Sequence, residues 1–301
     1  MKHAYLVTIH SNFKSLNLML EFLDNPDNDF FILIDKKVKQ LDSELIEYIP
    51  KASSIILLPR NVINWGGFSQ IKAEILLMKA AIKTKYNYYH YVQGSDFPIK
   101  TPKEISEFFE IHKGKEFVNF NPQQYAFAHY KCDYYHLLVD NRFYRYSKAM
   151  KLFNHGFARL QKVLFFRRKQ DPLYHGSALF SITNEFAEFV LSKEKYIERH
   201  FKYTLAADEV YLQTLIMGSK FKEQLYKFEE DGSNCYYIDW KSERTNHNSP
   251  YTFVSEDFER LINSRERYLF ARKFDERIDL NIVQKIFYTL SESDCKKWGT
   301  K

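Results

Sequence analysis

Two short pairs of charged residues could do chemistry. Asp208-Glu209 supplies carboxylates, and a carboxylate can take the proton from a hydroxyl as that oxygen attacks an electrophilic carbon. Arg272-Lys273 supplies two cations, which can meet the negative charge that builds on a leaving phosphate without a metal ion. Each pair also has an ordinary structural interpretation, because acids are common in the first turn of a helix and surface cations are commonly solvated. The residues alone leave both interpretations open.

Other patterns for chemistry are absent or poorly placed. The sequence holds neither G-x-G-x-x-G nor G-x-x-x-x-G-K-[ST], so a dinucleotide-dependent oxidoreductase and a P-loop enzyme are close to excluded. Asp27–Asp29 has the D-x-D form that binds metal diphosphates, but a polar turn explains it better at this place. His129, Cys132 and His136 lack a fourth ligand at a usual zinc spacing. We therefore expect no metal site and no cofactor.

Hydrophobic periodicity predicts strands that alternate with helices along the first 120 residues. The predicted strands are Ala4–Ile9, Phe30–Ile34, Ser54–Leu58 and Tyr88–Val92, and the predicted helices are Leu16–Leu23, Leu41–Tyr48, Ser69–Ile82 and one that begins at Pro102. This alternation favours an α/β fold with a mostly parallel sheet and helices on both faces, arranged as one large domain. Ligands bind beyond the carboxyl ends of such strands, where Asp35 and Asp96 are placed. A further helix is predicted to begin near Glu209 and run through Leu215.

The composition indicates a folded chain with a mild positive charge. Its 301 residues are 45% hydrophobic and 17% aromatic, which is enough for a packed core. Lys and Arg exceed Asp and Glu by 44 to 38, a bias that suits phosphate-bearing ligands or an anionic membrane but does not indicate nucleic acid. Three separated cysteines offer no disulfide framework, and no stretch has the apolar length of a signal peptide or a spanning helix. We therefore expect a cytoplasmic protein.

Residues 142–169 differ from the rest of the chain. They contain nine Lys and Arg and no Asp or Glu, interleaved with aromatic and aliphatic side chains. A basic, aromatic, helix-forming segment suits peripheral contact with an anionic membrane, here the inner face of the cell membrane. The alternative is a helix that packs its apolar face on the core and leaves its basic face in water. Both interpretations predict an amphipathic helix.

Five sequence blocks in a fixed order carry a resemblance to a known family. They are Asn64–Ser69, Gln93–Thr101, Tyr174–Ser177, Ala206–Thr214, and Ser249-Pro250 followed by Leu269–Asp275. Together they resemble the core-2/I-branching β-1,6-N-acetylglucosaminyltransferases and the peptide O-xylosyltransferases, which form glycosyltransferase family 14. The similarity extends from Ala4 to about Ile278, which is nearly the whole chain.

The resemblance implies a GT-A-like fold and an inverting reaction with a UDP-sugar donor, without the D-x-D metal that this fold commonly uses. By position, Glu209 resembles the catalytic base of the family and Lys273 resembles its diphosphate-binding lysine. The branching enzymes place an arginine before the last segment, where this chain has Tyr251. The resemblance therefore implies that Arg272 or Arg244 supplies the second positive charge to the diphosphate.

Further residues are expected to contact or orient the substrates. Asp208 is expected to orient groups beside the base or to cap the helix, and Trp65 and Trp240 offer rings on which a sugar can stack. Either tryptophan ring also suits the core. The residues implied along the nucleotide and the donor sugar are Asp35, Gly94, Ser95, Asp96 and Phe97. Trp65 is expected on the donor side as well, and Trp240 on the acceptor side.

The resemblance and the chemistry together predict a metal-independent, inverting transfer of N-acetylglucosamine from UDP-N-acetylglucosamine. The expected acceptor is a glycan or lipid-linked oligosaccharide of a bacterial capsule, exopolysaccharide or lipopolysaccharide. Residues 1–125 are expected to bind the nucleotide sugar, and residues 126–301 to bind the acceptor and carry out catalysis. Xylose, galactose and glucose are alternative donor sugars, and a non-catalytic nucleotide- or carbohydrate-binding protein is the alternative from another class.

Overall fold

A computed structural model of the chain describes residues 1–166, 168, 172–228, 230, 232–242 and 249–298, with side chains through residue 292. Arg244 lies outside the described residues, as do Arg167 and Lys169 of the basic segment. The strands of the described part are β1 (His3–Ile9), β2 (Asn28–Ile34), β3 (Ser54–Leu57), β4 (Tyr88–Gln93), β5 (Asp96–Pro98), β6 (Phe117–Val118), β7 (Phe180–Thr183), β8 (Tyr236–Ile238) and β9 (Phe270–Arg272). The α-helices there are α1 (Phe13–Phe22), α2 (Asp42–Leu45), α3 (Phe68–Ala81), α4 (Pro102–Ile111), α5 (Tyr125–Cys132), α6 (Lys148–Val163), α7 (Asn184–Ser192), α8 (Glu194–Phe201), α9 (Tyr211–Met217), α10 (Phe258–Ser264), α11 (Glu276–Asp279) and α12 (Asn281–Trp298).

The chain divides into two compact units, of which one consists of Met1–Pro59, Tyr86–Gly114 and Cys235–Lys301. Its main sheet contains the parallel strands β3-β2-β1-β4, in that order. A smaller sheet has the order β5-β9-β8, in which β9 runs antiparallel to β5 and parallel to β8. Because β1 is buried along its whole length, its sequence is a nearly continuous apolar run, as a parallel strand covered on both faces requires.

The loops that follow β2 and β4 flank the carboxyl end of β1. The Asp35 amide donates to the carbonyl of Ile9 (2.9 Å), and the Gly94 amide donates to the carbonyl of Thr8 (3.1 Å). A Cβ atom on Gly94 would lie 2.7 Å from Ile9 Cγ1 and 2.8 Å from the carbonyl oxygen of Ser11. Backbone cannot retreat from such an approach as a flexible side chain could, so this turn requires glycine.

The other unit consists of Arg60–Lys85 and Lys115–Asn234. In it, β6 pairs antiparallel with β7, with Phe117 opposite Ser181. The helices α3 and α5 to α9 belong to this unit. The two units alternate along the chain, whereas the predicted halves 1–125 and 126–301 are consecutive. The ligand roles assigned to those halves stay a prediction.

The predicted α/β class with a mostly parallel sheet is confirmed, and the bounds of most predicted elements are correct to within three residues. The predicted helix Leu41–Tyr48 is reduced to the single turn α2. The Asn17 side chain donates to the carbonyl of Leu45 and accepts from the amides of Glu47 and Tyr48. These bonds satisfy backbone groups that a longer helix would otherwise have satisfied, so the chain leaves the helix there.

The predicted helix in the basic segment is confirmed as α6, which spans Lys148–Val163 and begins at the N-cap Ser147, whose hydroxyl accepts from the amide of Met150. Its orientation differs from the core-packing alternative, because the buried side chains of α6 are Asn154, Ala158 and Gln161. The exposed side therefore carries most of its large apolar residues. Within the described residues, no helix combines the length and the apolar character that crossing a bilayer would need.

Candidate active site

Glu209 lies in a 3-10 turn, Ala207–Glu209, that precedes α9. The prediction that it lies in the first turn of a continuous helix is wrong, because the backbone of Val210 (φ −132°) interrupts the helix before Tyr211. Backbone hydrogen bonds hold the turn, since the amide of Gly176 donates to the carbonyl of Glu209 (2.9 Å). The orientation of the Glu209 carboxylate therefore depends on neighbouring side chains rather than on a helix dipole.

Lys131 and His175 hold the Glu209 carboxylate. Lys131 Nζ lies 2.5 Å from Glu209 Oε2, and His175 Nε2 lies 3.3 Å from the same oxygen and 3.0 Å from Lys131 Nζ. The side chains of Lys131 and His175 are each only 6% exposed, whereas that of Glu209 is 39% exposed. No donor in the described part of the chain bonds Oε1 of Glu209. The carboxylate is thus fixed through one oxygen and presents the other.

The pKa of Glu209 follows from this arrangement. Burial raises the pKa of the carboxyl, but the hydrogen bond with His175 and the positive charge of Lys131 outweigh burial and lower the pKa to about 2. The tautomer of His175 decides whether its Nε2 donates to Glu209 or accepts from Lys131. In either arrangement Lys131 donates to the carboxylate. Glu209 is therefore ionised at neutral pH and ready to accept a proton.

Asp208 occupies the buried side of the same turn and is 8% exposed. Its Oδ2 accepts from Gln70 Nε2 (2.9 Å), and Gln70 in turn accepts from the amide of Gly66. Burial, together with the charge of Glu209, raises the pKa of Asp208 to about 7. Hydrogen bonds from the backbone amides of Asp208 and Glu209 to this carboxylate oppose the rise. Which of its two predicted roles, capping or orienting, Asp208 performs stays a prediction.

Three of the five sequence blocks meet in this unit. The amide of Ala206 donates to the carbonyl of Gly66 (2.8 Å), which joins the Trp65 loop to the turn that carries the acids. Gln213 Nε2 donates to the carbonyl of Ser177 (2.7 Å). A Cβ atom on Gly176 would lie 1.8 Å from a carbonyl oxygen, so glycine is required at this crossing. The residues of the three blocks thus build the support of Glu209.

In the first unit, the partly exposed Arg272 of β9 forms an ion pair with the buried Asp96 of β5. Arg272 Nη1 lies 2.5 Å from Asp96 Oδ1, and Nη2 donates to Gln93 Oε1 (2.7 Å). The Asp96 side chain is fully buried, and burial raises its pKa, while the charge of Arg272 opposes that change. Arg272 therefore neutralises a carboxylate of its own chain, which differs from the predicted role at a diphosphate.

We expect Arg272→Met to lower the free energy of unfolding by about 3–5 kcal/mol, because it leaves the Asp96 carboxylate buried without its partner. Denaturant-induced unfolding measures this change. Arg277→Met is the matched control, since the Arg277 side chain is 75% exposed and its ion pair with Asp275 should contribute less than about 1 kcal/mol. Similar losses in both variants would contradict the assigned role. Adding Asp96→Asn to Arg272→Met should recover part of the stability.

Lys273 follows β9, and its Nζ donates to Ser249 Oγ (3.2 Å). The backbone around it is fixed, because the amide of Phe253 donates to the carbonyl of Lys273 and the amide of Phe274 donates to that of Ser95 (2.8 Å). The Lys273 side chain is partly exposed. The block around Ser249 and the block that carries Lys273 thus lie together, as the resemblance requires, while binding of a diphosphate by Lys273 stays a prediction.

The other residues predicted along the donor differ in their exposure. Asp35 is 4% exposed, and its carboxylate accepts from the backbone and side chain of Lys37. Phe97 is fully buried and packs against Phe22 and Phe274, so its ring belongs to the core rather than to a donor-binding wall. Gly94 serves the tight turn described above.

The two tryptophans are available for stacking. Trp65 is 47% exposed and has the guanidinium of Arg145 5.8 Å from its ring centroid, and Trp240 is 57% exposed. Exposed rings of this kind suit sugar stacking better than core packing. Their role with a sugar stays a prediction.

The two alternative metal motifs serve local structure. Asp27 binds the N-terminal amine (3.3 Å), and Asp29 accepts from the hydroxyl of Tyr86 (2.6 Å), at the start of β2 rather than at its carboxyl end. His129 bonds Asp133, and Cys132 is buried. In the described residues no group of three His, Cys, Asp or Glu side chains is arranged to hold a metal ion. The expected metal independence of the reaction stays a prediction.

Sequence reasoning did not single out Lys131 or give His175 a role. Lys131 lies 78 residues before Glu209. The residues around it were considered only as zinc ligands, namely His129, Cys132 and His136. His175 lies directly before Gly176 in the block Tyr174–Ser177. Its place in that block is the sequence signal that could have identified it.

A family model described as Core-2/I-Branching enzyme matches residues 3–262. The chain belongs to the core-2/I-branching enzyme family. This match confirms the family that the five blocks indicated. The members of this family are glycosyltransferases, as the resemblance implied. The α/β fold with its mostly parallel sheet agrees with the GT-A-like class expected for core-2/I-branching enzymes.

Several core-2/I-branching relatives cover most of this chain. Xylosyltransferase 2 of Rattus norvegicus is 22% identical over 311 residues, which include 95% of this chain and 33% of the relative. The human β-1,3-galactosyl-O-glycosyl-glycoprotein β-1,6-N-acetylglucosaminyltransferase is 22% identical, covering 93% of this chain and 68% of its own. The human N-acetyllactosaminide β-1,6-N-acetylglucosaminyl-transferase is 25% identical, and the match covers 70% of this chain and 52% of the relative. The chain thus spans about a third of the length of the xylosyltransferase it matches.

Proposed function

We propose that this chain transfers a sugar from a UDP-sugar to a hydroxyl of a glycan acceptor, with inversion at the anomeric carbon and with Glu209 as the base. The observation that carries the proposal is the Glu209 carboxylate, which Lys131 and His175 hold through Oε2 while Oε1 accepts no bond in the described part of the chain. An acceptor hydroxyl needs such an ionised, oriented and partly exposed carboxylate.

The proposed step balances as a single displacement. The acceptor oxygen forms a bond to the anomeric carbon while the bond from that carbon to the UDP oxygen breaks. The electron pair of the broken bond goes to the diphosphate, and the acceptor proton goes to the Glu209 carboxylate. Because attack comes from the face opposite the leaving group, one displacement inverts the anomeric centre.

The leaving diphosphate needs a positive charge that is already in place. We propose that Lys273 supplies it, since its ammonium is held by Ser249 and its position in the sequence matches the phosphate-binding lysine of the resemblance. Arg272 then supports this strand by pairing with Asp96. In this proposal the fixed cation replaces a divalent metal ion.

We propose N-acetylglucosamine as the first donor sugar to test and xylose as the second. Two human relatives are named as N-acetylglucosaminyltransferases and the rat relative is named as a xylosyltransferase. Galactose and glucose complete the set. The proposed acceptor is a glycan or lipid-linked oligosaccharide of a bacterial surface polysaccharide. A β-1,3-galactosyl O-glycan and N-acetyllactosamine are the first acceptors to try, because the names of the two human relatives specify a β-1,3-galactosyl-O-glycosyl-glycoprotein and an N-acetyllactosaminide.

A screen of UDP-sugars against oligosaccharide acceptors tests the proposal. Release of UDP and formation of a product of increased mass would support it, and the loss of both in Glu209→Gln would attribute them to this site. If UDP binds but no donor is consumed with any acceptor or with water, the chain is a nucleotide-binding protein and the transferase proposal fails.

Lys131 should act as a positioning residue for Glu209. In Lys131→Met burial still raises the pKa of the carboxyl while the opposing charge is lost, so that pKa rises. The base must be ionised, and activity falls as pH falls through its pKa. We therefore expect the acid limb of the kcat/KM profile to move to higher pH.

Because the pKa of Glu209 is about 2, the original chain should show no acid limb between about pH 4 and pH 9, whereas Lys131→Met should bring one into that range, and initial rates across it check this shift. Lys131→Arg should keep the acid limb near its original position because the positive charge remains. Lys222→Met is the matched control, since that side chain is 51% exposed and pairs at 3.9 Å with the exposed Glu223 rather than with Glu209. A uniform loss of activity without movement of the acid limb would contradict the assigned role.

A further inference from the structure

The α6 helix packs on its unit through polar and small side chains. Asn154 is fully buried, and its Nδ2 lies 2.8 Å from His136 Nδ1. Gln161 accepts from the amide of Tyr135 (2.9 Å) and donates to its carbonyl (3.0 Å). A surface helix ordinarily turns its apolar stripe toward the core. Here hydrogen bonds of Asn154 and Gln161 hold the helix on its unit, and the apolar stripe faces solvent.

The outward side of α6 carries large apolar residues that continue into the loop after it. We name them, together with three cations, the α6 surface: Leu152, Phe153, Leu160, Val163, Leu164 and Phe165, with Lys148, Arg159 and Lys162. The apolar members are each more than half exposed, and Phe165 is 95% exposed at a left-handed backbone (φ +53°). Bulky residues such as phenylalanine rarely adopt a positive φ, because this backbone conformation costs free energy.

The apolar and basic members of the α6 surface form two adjoining stripes. At 3.6 residues per turn, Leu152, Leu160 and Val163 project to one side of the helix, and Lys148, Arg159 and Lys162 project beside them. Residues 142–169 contain no acid that could neutralise these cations. Rings and aliphatic chains next to cations are the chemistry by which a helix lies in the interface of an anionic bilayer.

A basic cavity adjoins the end of the α6 surface. It has a volume of about 410 Å³ and is lined by Tyr135, Arg168, Lys195, Arg199 and Lys202, with Glu198 as the acid among them. The four cations exceed this one carboxylate, so the cavity suits an anionic phosphate group. Arg168 lies 4.7 Å from the ring centroid of Tyr135, and the ring of Phe166 stacks on Tyr135 at 6.0 Å. The cavity therefore continues directly from the loop that carries Phe165.

We propose that the α6 surface docks on an anionic lipid bilayer, with its apolar side chains in the interface and phosphate headgroups at its cations and at the basic cavity. Charge complementarity selects this partner, because nucleic acid would use the cations but not six exposed apolar side chains. The inference does not depend on the proposed transfer reaction, since binding to vesicles is measured without a sugar donor.

Vesicle flotation with the full chain tests the proposal, using phosphatidylcholine alone and with about 30% phosphatidylglycerol. We expect binding to the anionic vesicles that weakens as salt is raised. Lys148→Gln/Arg159→Gln/Lys162→Gln should weaken it roughly 100-fold, since each cation near the surface contributes about fivefold. Its control replaces the same number of exposed cations elsewhere: Lys39→Gln/Lys51→Gln/Lys83→Gln.

A second pair of variants tests the apolar stripe. Leu152→Ser/Leu164→Ser/Phe165→Ser should weaken vesicle binding by roughly 30-fold or more, and the chain should stay folded because all three side chains lie on the surface. Its control is Leu41→Ser/Ile49→Ser/Ile111→Ser, whose side chains are 65%, 81% and 77% exposed in the other unit. Equal effects of a variant and its control would overturn the proposal.

Two further outcomes would also overturn it. Equal binding to neutral and anionic vesicles, or no binding to either, would exclude an anionic bilayer as the partner. If light scattering shows an oligomer that the apolar variant converts to a monomer while vesicles are not bound, the α6 surface contacts a second copy of the chain instead.

Discussion

Replacing Glu209 by glutamine is expected to lower kcat by roughly 10³-fold while UDP affinity is unchanged. Glutamine keeps the size of the side chain but cannot accept the proton of the acceptor hydroxyl. The donor can still bind, because the proposed contact of the base is with the acceptor and not with the diphosphate. Steady-state rates and calorimetric titration with UDP measure the two quantities separately.

The control variants separate chemistry from folding. Glu223→Gln changes a carboxylate that is 79% exposed, and it should keep full activity. Glu209→Gln also deprives the buried Lys131 of its anionic partner, so its thermal unfolding must be compared with that of the original chain. A folded Glu209→Gln variant with undiminished turnover would show that another group takes the proton.

The second large effect is expected at Lys273. Lys273→Met removes the ammonium but keeps the length of the side chain, and it should lower kcat/KM by roughly 10²- to 10³-fold because the leaving diphosphate loses a fixed positive charge. Binding of UDP should weaken, whereas binding of uridine, which has no phosphate, should not change. Competition of both ligands against the donor measures this difference.

Lys103→Met is the matched control for Lys273, since Lys103 is 54% exposed and forms only a 3.8 Å surface pair with Glu107. Lys273→Arg should recover part of the UDP affinity through its charge. Equal weakening of UDP and uridine in Lys273→Met would mean that Lys273 supports the fold of the binding loop and not the diphosphate.

Elements with strong local patterns were predictable from the sequence. The buried strands β1, β2 and β4 and the helix α3 begin and end within two residues of their predicted bounds, because apolar periodicity and breakers act locally. Bonds between distant residues explain the differences. Asn17 ends α2 early, and the bond between Ala206 and Gly66 fixes the chain that enters the Glu209 turn.

The candidate site was predictable only in part. The position of Glu209 followed from the resemblance, but its partners Lys131 and His175 lie 78 and 34 residues earlier, where no local pattern marks a contact with a carboxylate. Asp96 and Phe97 belong to a block that resembles the family, yet both side chains are buried. Asp96 pairs with Arg272, and Phe97 packs in the core. A sequence block thus identifies a neighbourhood, while burial decides which of its side chains can touch a ligand.

The orientation of α6 illustrates the same limit of periodicity. Its pattern predicts an amphipathic helix but does not indicate which face is covered. The hydrogen bonds of Asn154 and Gln161 decide the orientation, and their partners His136 and Tyr135 belong to the loop before the helix.

Calorimetric titration of the full chain with UDP, GDP and CMP in the presence of EDTA tests the central claim most directly. The proposed cationic site predicts that UDP binds under these conditions, and the proposed UDP-sugar donor predicts that GDP and CMP bind far more weakly. Binding of UDP only after Mn²⁺ is added would contradict the proposed role of Lys273 in place of a metal. The absence of UDP binding both with EDTA and with Mn²⁺ would contradict the UDP-sugar transferase proposal itself.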